Sequence, residues 1–269
     1  MNNPLARARA NEISPLDRSF SQVTGMVRKL KHRLKHLEAR MNHGLSKASV
    51  QYLSGSAGLT SVPLSTVISN DSILLDAPIL DEICLPPYRG PRHDDFTPLM
   101  KIAKHLDAKV ILELGTAHGN TVANLCLQCP SAKIITVNAA STSQSGKLTT
   151  FELTPQEIGI VYRNHGFGER VTQILANTLT LDLSEHLRVA SVDLAIVDAC
   201  HDTEYVINDF HKVRDYVKRG GYVLLHDTHP SMTDHLIGSY RACMKLRKQG
   251  FDIRHIEGTW WALWEPASI

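Results

Sequence analysis

Asp198, His201, His226 and Asp227 are the side chains whose types and placement best suit acid–base or metal chemistry. Asp198 closes the predicted strand 192–198, and Asp227 closes the predicted strand 222–227. Both strands are short, largely apolar runs, the pattern of buried strands. Consecutive strands usually pair as neighbours, which brings the two acids together. Two carboxylates that close repel unless one is protonated or a cation lies between them. Their oxygens are hard ligands, so a divalent metal is the economical answer. His201 lies three residues past Asp198, where it could face the same space and take a proton near neutral pH. His226 and Asp227 are adjacent, and adjacent strand residues point to opposite faces. Both reach one ion only where the strand has already ended.

Each of these residues has a plainer reading. Asp198 could cap the helix that follows it. Asp202 suits neutralisation of that helix N-terminus better than metal binding. His201 could be a surface residue, and His229 sits in a loop beside Pro230. Trp260, Trp261 and Trp264 suit a core or an interface. Cys126 and Cys129 form a Cys-x-x-Cys on a predicted helix with no second pair of zinc-ligand spacing, which favours packing.

A second constellation binds rather than reacts. Val110, Ile111, Leu112 and Leu114 form a buried strand interrupted by Glu113, a charge that is costly without a partner. Gly115 and Gly119 allow a tight turn, and Thr121, Val122 and Leu125 begin a helical pattern. A strand, a glycine turn and a helix N-terminus make a nucleotide-sized edge at the end of a parallel sheet. The glycines are spaced Gly-x-x-x-Gly and not Gly-x-Gly-x-x-Gly, so a nucleoside without phosphates fits better than a dinucleotide.

The elements that must position these groups follow in chain order. Residues 71–95 contain four prolines and should run extended, and the loop Tyr88 to Asp95 could cover a ligand. Thr97 and Pro98 open a helix to about Leu106. Strand 133–138 follows the glycine turn and its helix. Residues 139–147 are small and polar, and Thr154 to Glu157 is a capping box for a helix to about His165. Together 139–168 read as a lid. Strand 171–175 comes next. After strand 192–198, Tyr205, Val206, Phe210, Val213 and Val217 give a helical face, and Gly220 with Gly221 turns the chain into strand 222–227. A helix at 234–248 precedes strands 251–256 and 259–264, whose tight join implies an antiparallel last pair. Strands alternating with helices predict a mostly parallel sheet covered on both faces.

The stretch Glu113 to Thr121 resembles the first motif of the class I S-adenosylmethionine (SAM) methyltransferases. The runs ending in Asp198 and Asp227 resemble the metal-dependent small-molecule O-methyltransferase branch of macrocin and sugar type. The resemblance covers about residues 75–265. It implies an α/β, Rossmann-like, doubly wound, mostly parallel seven-stranded sheet with an antiparallel last strand, here with an added N-terminal helical arm. It implies SAM held by Glu113, Gly115, Thr116, Gly119, Asn120 and Thr121, with Asp198 alongside. Asn177 and Thr178 fall where the family often contacts the adenine. Asn138 stands where the family's ribose-binding carboxylate is typical, and an amide replaces it. Asp198 and Asp227 match metal ligands and His201 the general base. His226 replaces a common second acid, and imidazole suits manganese, iron or zinc better than the magnesium expected of the family. The implied reaction is methylation of a hydroxyl on a small-molecule substrate. A hydroxylase-like metal enzyme and a non-catalytic assembly module on the same fold are the rivals.

Composition bounds the rest. The chain has 269 residues, 43% hydrophobic and 21% charged, ordinary for a globular protein. A net charge of +2 argues against nucleic acid as a partner. Five cysteines and no signal peptide suggest a reducing, cytoplasmic setting. No apolar run approaches the ~20 residues of a transmembrane helix. Residues 1–70 read as an arm and 71–269 as the catalytic domain. Val23, Val27, Leu30, Leu34, Leu37, Met41 and Leu45 form one narrow apolar seam flanked by basic residues. It could pair with a copy of itself in a homo-oligomer, dock on the main domain, or lie on an acidic membrane surface. The first of these is favoured. Residues 54–58 then read as a flexible linker.

Overall fold

The computed structural model describes residues 58–69, 72–82, 95–139, 153–229 and 237–267. The apolar seam at 23–45, all of the linker except Gly58, the loop through residue 94 and the lid segment 140–152 lie outside them.

An eight-stranded sheet organises the described chain. Its strands are β1 (Thr60–Val62), β2 (Val110–Leu114), β3 (Lys133–Asn138), β4 (Val171–Leu175), β5 (Val192–Val197), β6 (Val217–Leu225), β7 (Arg254–Ile256) and β8 (Ala262–Trp264). They lie in the order β1-β7-β8-β6-β5-β2-β3-β4. The run from β4 to β6 is parallel, and β8 is antiparallel to both β6 and β7. The chain moves outward from β2 to β4, then returns to lay β5 on the other side of β2. The β2–β5 boundary is therefore the topological switch point, where open α/β sheets hold their ligands.

Alternation of side chains along the strands explains why both faces are dry. Ile111, Ile134, Leu194, Ile196 and Leu224 pack on one face, with Leu99, Met100 and Ile102 of α1 (Phe96–His105) and Val122 and Leu125 of α2 (Asn120–Gln128). Leu112, Leu114, Ile135, Val137, Val197 and Leu225 pack on the other, against Val206, Phe210 and Val213 of one helix and Cys243 and Leu246 of another. Among the described residues three further helices are α3 (Ile160–Asn164), α4 (Thr203–Arg214) and α5 (Ile237–Lys248).

Several boundaries differ from the sequence expectation, chiefly because distant backbone supplies the partners. The sheet has one strand more than the seven expected, because Thr60–Val62 pairs with Arg254–Ile256. Gly58 is tied down as well, its carbonyl accepting from Arg247 Nη1 at 2.7 Å. Val217 does not extend the face of α4. It pairs with Val192 at the start of β6, and the carbonyls of Asp215 and Tyr216 accept from the 190–192 backbone. Gly220 and Gly221 thus lie inside β6, where a Cβ on Gly221 would stand 2.6 Å from the Asp193 carbonyl oxygen. The capping box forms, with Glu157 Oε2 accepting from the Thr154 N–H at 2.8 Å, yet the helix waits until Ile160. Gly159 is left-handed (φ 70°) and its N–H goes to Ala117, while Val161 N–H goes to His118. That part of the expected lid is docked on the glycine turn, with Ile158, Val161 and Tyr162 buried.

Residues 76–82, with Pro78 among them, run without helix or strand. Asn120, Asn124 and Gln128, one turn apart on α2, hold them. Asn124 accepts from Leu80 N–H and donates to its carbonyl, both at 2.8 Å. Gln128 accepts from Asp76 N–H at 2.7 Å and donates to the Ala77 carbonyl at 2.8 Å, and Asn120 does the same for Glu82. Asn124→Leu leaves Leu80's amide and carbonyl without these partners. Such a change is expected to cost about 1–3 kcal/mol, read as a lower urea midpoint, with proteolysis newly concentrated at 76–82. An unchanged cleavage pattern would show that the ladder does not hold the segment.

Candidate active site

The glycine turn after β2 is built by steric exclusion. Gly115 has φ 111°, and a Cβ there would lie 2.0 Å from the Asp198 carbonyl oxygen, so only glycine lets the chains leaving β2 and β5 touch. Gly119, the N-cap of α2 with φ 86°, would push a Cβ to 2.7 Å from the Tyr162 ring. Between them Ala117 is held at φ 45° by its N–H bond to Asn138 Oδ1 at 3.0 Å. Asn138 also donates to the Ala139 carbonyl at 3.1 Å. Its amide therefore spends its oxygen on framing the turn at the place expected for a ribose contact.

Glu113 is 1% exposed and is met by hydroxyls. Thr136 donates to its Oε2 at 2.6 Å, and Thr121 also bonds it. Burial drives its pKa up to about 8, with the nearby charge of Asp198 adding to the rise and the hydroxyls opposing it. The relay continues inward. Thr116 shares a 2.7 Å bond with Thr136, Gln173 donates to the Thr116 hydroxyl at 3.0 Å, and Tyr162 donates to Gln173 at 3.1 Å. Tyr162, Thr136 and Gln173 were not foreseen, because their spacing from the glycine motif carries no local signal.

Asp198, His201 and Asp227 do converge, with one potential ligand atom of each within 4.8 Å of the others. His201 Nε2 lies 2.9 Å from Asp227 Oδ2 and 3.8 Å from Asp198 Oδ1. His226 Nδ1 lies 3.2 Å from Asp198 Oδ1 and 3.5 Å from Asp227 Oδ1. The adjacency problem of His226 and Asp227 is solved in the backbone. β6 ends at Leu225, and Asp227 takes a left-handed conformation (φ 55°) that turns both side chains into one space. A non-glycine residue holds that conformation only where its surroundings enforce it. Ligand atoms about 2.1 Å from one ion stand roughly 3 Å apart, so these donors suit a divalent cation.

The charges are set by one another. Burial opposes ionisation of Asp198, but His226 and His201 overcome it and hold the carboxyl well below its usual range. Burial would likewise depress His201, yet Asp198 and Asp227 outweigh it and raise the imidazole to about 9. His226 is raised well above its ordinary value against the same penalty, by Asp198 and Asp227 first.

The other candidates separate. Asn177 caps its own turn, accepting from Leu179 N–H at 2.9 Å. Thr178 bonds Asp209, a fully buried acid of α4 whose pKa burial raises to about 6. Asn120 is taken up with Glu82. Asp202 is the N-cap of α4 without a side-chain cap bond. His229 packs on His255, ring centroids 5.3 Å apart. Cys126 and Cys129 are buried thiols pushed up to about 11 by burial, as packing requires. Trp264 packs in the core with Phe210 and Phe251, but Trp261 lies against His226 at 4.2 Å. Asp95, the N-cap of α1, reaches His226 as well, with its Oδ2 3.3 Å from Nε2.

Residues 112–228 match a family model described as a methyltransferase domain. No curated protein matches the chain by sequence. Among solved structures, cofactor-bound Rv0187 from MTB is 18% identical, covering 66% of this chain and 82% of that one at a TM-score of 0.48. CalS11, a TDP-rhamnose 3'-O-methyltransferase of calicheamicin biosynthesis, is 16% identical over 65% and 80%, at 0.47. An O-methyltransferase from Bacillus cereus in complex with SAH is 14% identical over 67% and 84%, at 0.47.

The cluster makes stability depend on pH with a definite sign. His201 is raised in the fold, so its contribution is complete below about 6.5 and is lost as pH rises through about 9. Asp198 is lowered, so its contribution is complete above its ordinary pKa near 3.8 and is lost as pH falls below that. With EDTA present, the urea midpoint should fall between pH 7 and 10, and His201→Gln should flatten that fall. An equally steep fall in the variant would assign it to other groups.

Proposed function

We propose, for a chain whose residues 112–228 match a methyltransferase-domain model, SAM-dependent O-methylation of a hydroxyl on a small molecule. The observation that carries this reading is the convergence of Asp198, His201 and Asp227 immediately beside the glycine turn. SAM would lie along the turn from Gly115 to Thr121, over Glu113 and Thr116, with Asp198 closing the pocket toward the acceptor. Asn138, Asn177 and Thr178 would contribute the turns behind the ribose and adenine more than direct bonds, since their polar atoms already have partners.

His201 would take the proton of the acceptor hydroxyl as its oxygen attacks the methyl carbon. The carbon–sulfur bond would break as the oxygen–carbon bond forms, leaving S-adenosylhomocysteine and the methyl ether. A divalent cation held by Asp198, Asp227 and His226 would lower the acceptor's pKa and orient its oxygen when bound. The same carboxylates, once shared with a cation, pull less on His201 and let its pKa drop from about 9 toward the range of a working base. Magnesium is the cation implied by the family resemblance, and imidazole chemistry favours manganese, iron or zinc. No helix among the described residues is long and apolar enough to cross a membrane. The apolar seam of residues 23–45 is proposed to pair protomers.

His201→Ala should leave SAM affinity, measured by calorimetry, within about twofold while lowering turnover by about 100-fold or more. Turnover preserved at every pH would remove His201 from the base role, and failure of the parent chain to bind SAM would remove the cofactor. Deleting residues 1–57 should convert an oligomer to a monomer by light scattering without loss of SAM binding. An unchanged mass would move the seam to another role.

A further inference from the structure

Two imidazoles face the same pair of carboxylates, and they differ in what stands behind them. His226 presents Nδ1 to Asp198 and Asp227, while its Nε2 lies 3.3 Å from Asp95 Oδ2. A carboxylate only accepts, so the Nε2 side of that contact must carry the hydrogen. Asp95 is itself fixed: its Oδ1 accepts from the Trp260 N–H at 2.9 Å, and its carbonyl accepts from the Trp261 indole at 2.9 Å. Trp261 also lies against the His226 ring, with centroids 4.2 Å apart. Asp95 and Trp261 thus hold the orientation and plane of His226, while carboxylates face both of its ring nitrogens. His201 instead directs Nε2 straight at Asp227 Oδ2 at 2.9 Å.

We propose that Asp95 is a positioning residue that holds His226 with its hydrogen on Nε2, presenting Nδ1 as a nitrogen ligand beside Asp198 and Asp227. The site then prefers a first-row transition cation such as manganese or zinc over magnesium. A carboxylate behind a ligating histidine is the usual outer support of such a metal site. Nitrogen donors rank these cations above magnesium, which favours oxygen. Nδ1 would hold a cation through its lone pair, with its hydrogen released to solvent. The division of labour follows: His226 serves as ligand, and His201 stays available as base. This inference rests on reading the cluster as a cation site, as in the proposed function.

The test is calorimetric titration of the full chain with Mn2+, Zn2+ and Mg2+ chlorides, alongside SAM. The parent chain should bind Mn2+ at least about 10-fold more tightly than Mg2+. Asp95→Ala should weaken Mn2+ by about 10–100-fold with little change for Mg2+ or SAM, and Asp95→Asn, which keeps an acceptor oxygen, should recover part of the loss. His226→Glu should shift the preference toward Mg2+ even if Asp95→Ala folds poorly. Nitrogen-15 spectra should report hydrogen on His226 Nε2 in the cation-loaded parent and a tautomer mixture in Asp95→Ala. A parent chain that binds no divalent cation overturns both the cation reading and this inference. Tight cation binding with equal Mn2+ and Mg2+ affinities, or a ratio unmoved by Asp95→Ala and His226→Glu, overturns the inference alone.

Discussion

The chains leaving β2 and β5 meet at Gly115, with no room for a single carbon between that residue and the Asp198 carbonyl. This contact is a consequence of topology. The strand order reverses between β2 and β5, so their carboxyl ends open the crevice and must also share it. Asp198 N–H bonds to the Leu114 carbonyl at 2.8 Å, and Gly115 N–H turns the other way to Val137. The glycine turn and the acidic cluster are thus one construction. Moving the turn would move the aspartate, because backbone contact sets the distance between them.

Around that contact the carboxyls are driven to different protonation states by what surrounds them. Glu113 lies under the turn among hydroxyls, and burial pushes it to about 8. Asp198, one strand away, faces two imidazoles and is held ionised. A site that needs both a neutral floor under a nucleoside and an anionic wall for a cation or an imidazolium can obtain both from carboxyls, provided the partners differ. Adjacent strands of a parallel sheet supply such different partners within a few ångströms.

The parts legible in the sequence were those with local cause. A buried strand run, glycines at fixed offsets and acids at strand ends are written in consecutive residues, and they located β2, β5, β6 and the convergence of Asp198, His201 and Asp227. The parts that escaped depend on distant backbone. Nothing near residue 60 announces that Thr60–Val62 will find Arg254–Ile256. Gly159 ends one helix idea and begins another only because its N–H has Ala117 to meet. The family resemblance implies Asn120 as a cofactor contact, and its side chain is bonded to Glu82. Its periodicity with Asn124 and Gln128 was visible, and the segment it grips was not.

Asp227 shows how a local rule fails productively. Alternation forbids neighbouring strand residues from sharing a site, and His226 and Asp227 share one because the strand ends one residue earlier and the aspartate turns left-handed. That conformation costs about 1 kcal/mol or more for a residue with a Cβ. The return is visible in the distances: Asp227 offers one oxygen to each histidine, 2.9 Å to His201 and 3.5 Å to His226. An aspartate that continued the strand would present its carboxylate to the face opposite His226, leaving two imidazoles around Asp198 alone. The strained residue therefore turns a single ion pair into a four-membered cluster with two acids and two bases. It is this balance that lets both histidines stay close to the acids, with only His226 shown bonded to a further acid, Asp95, on its other side.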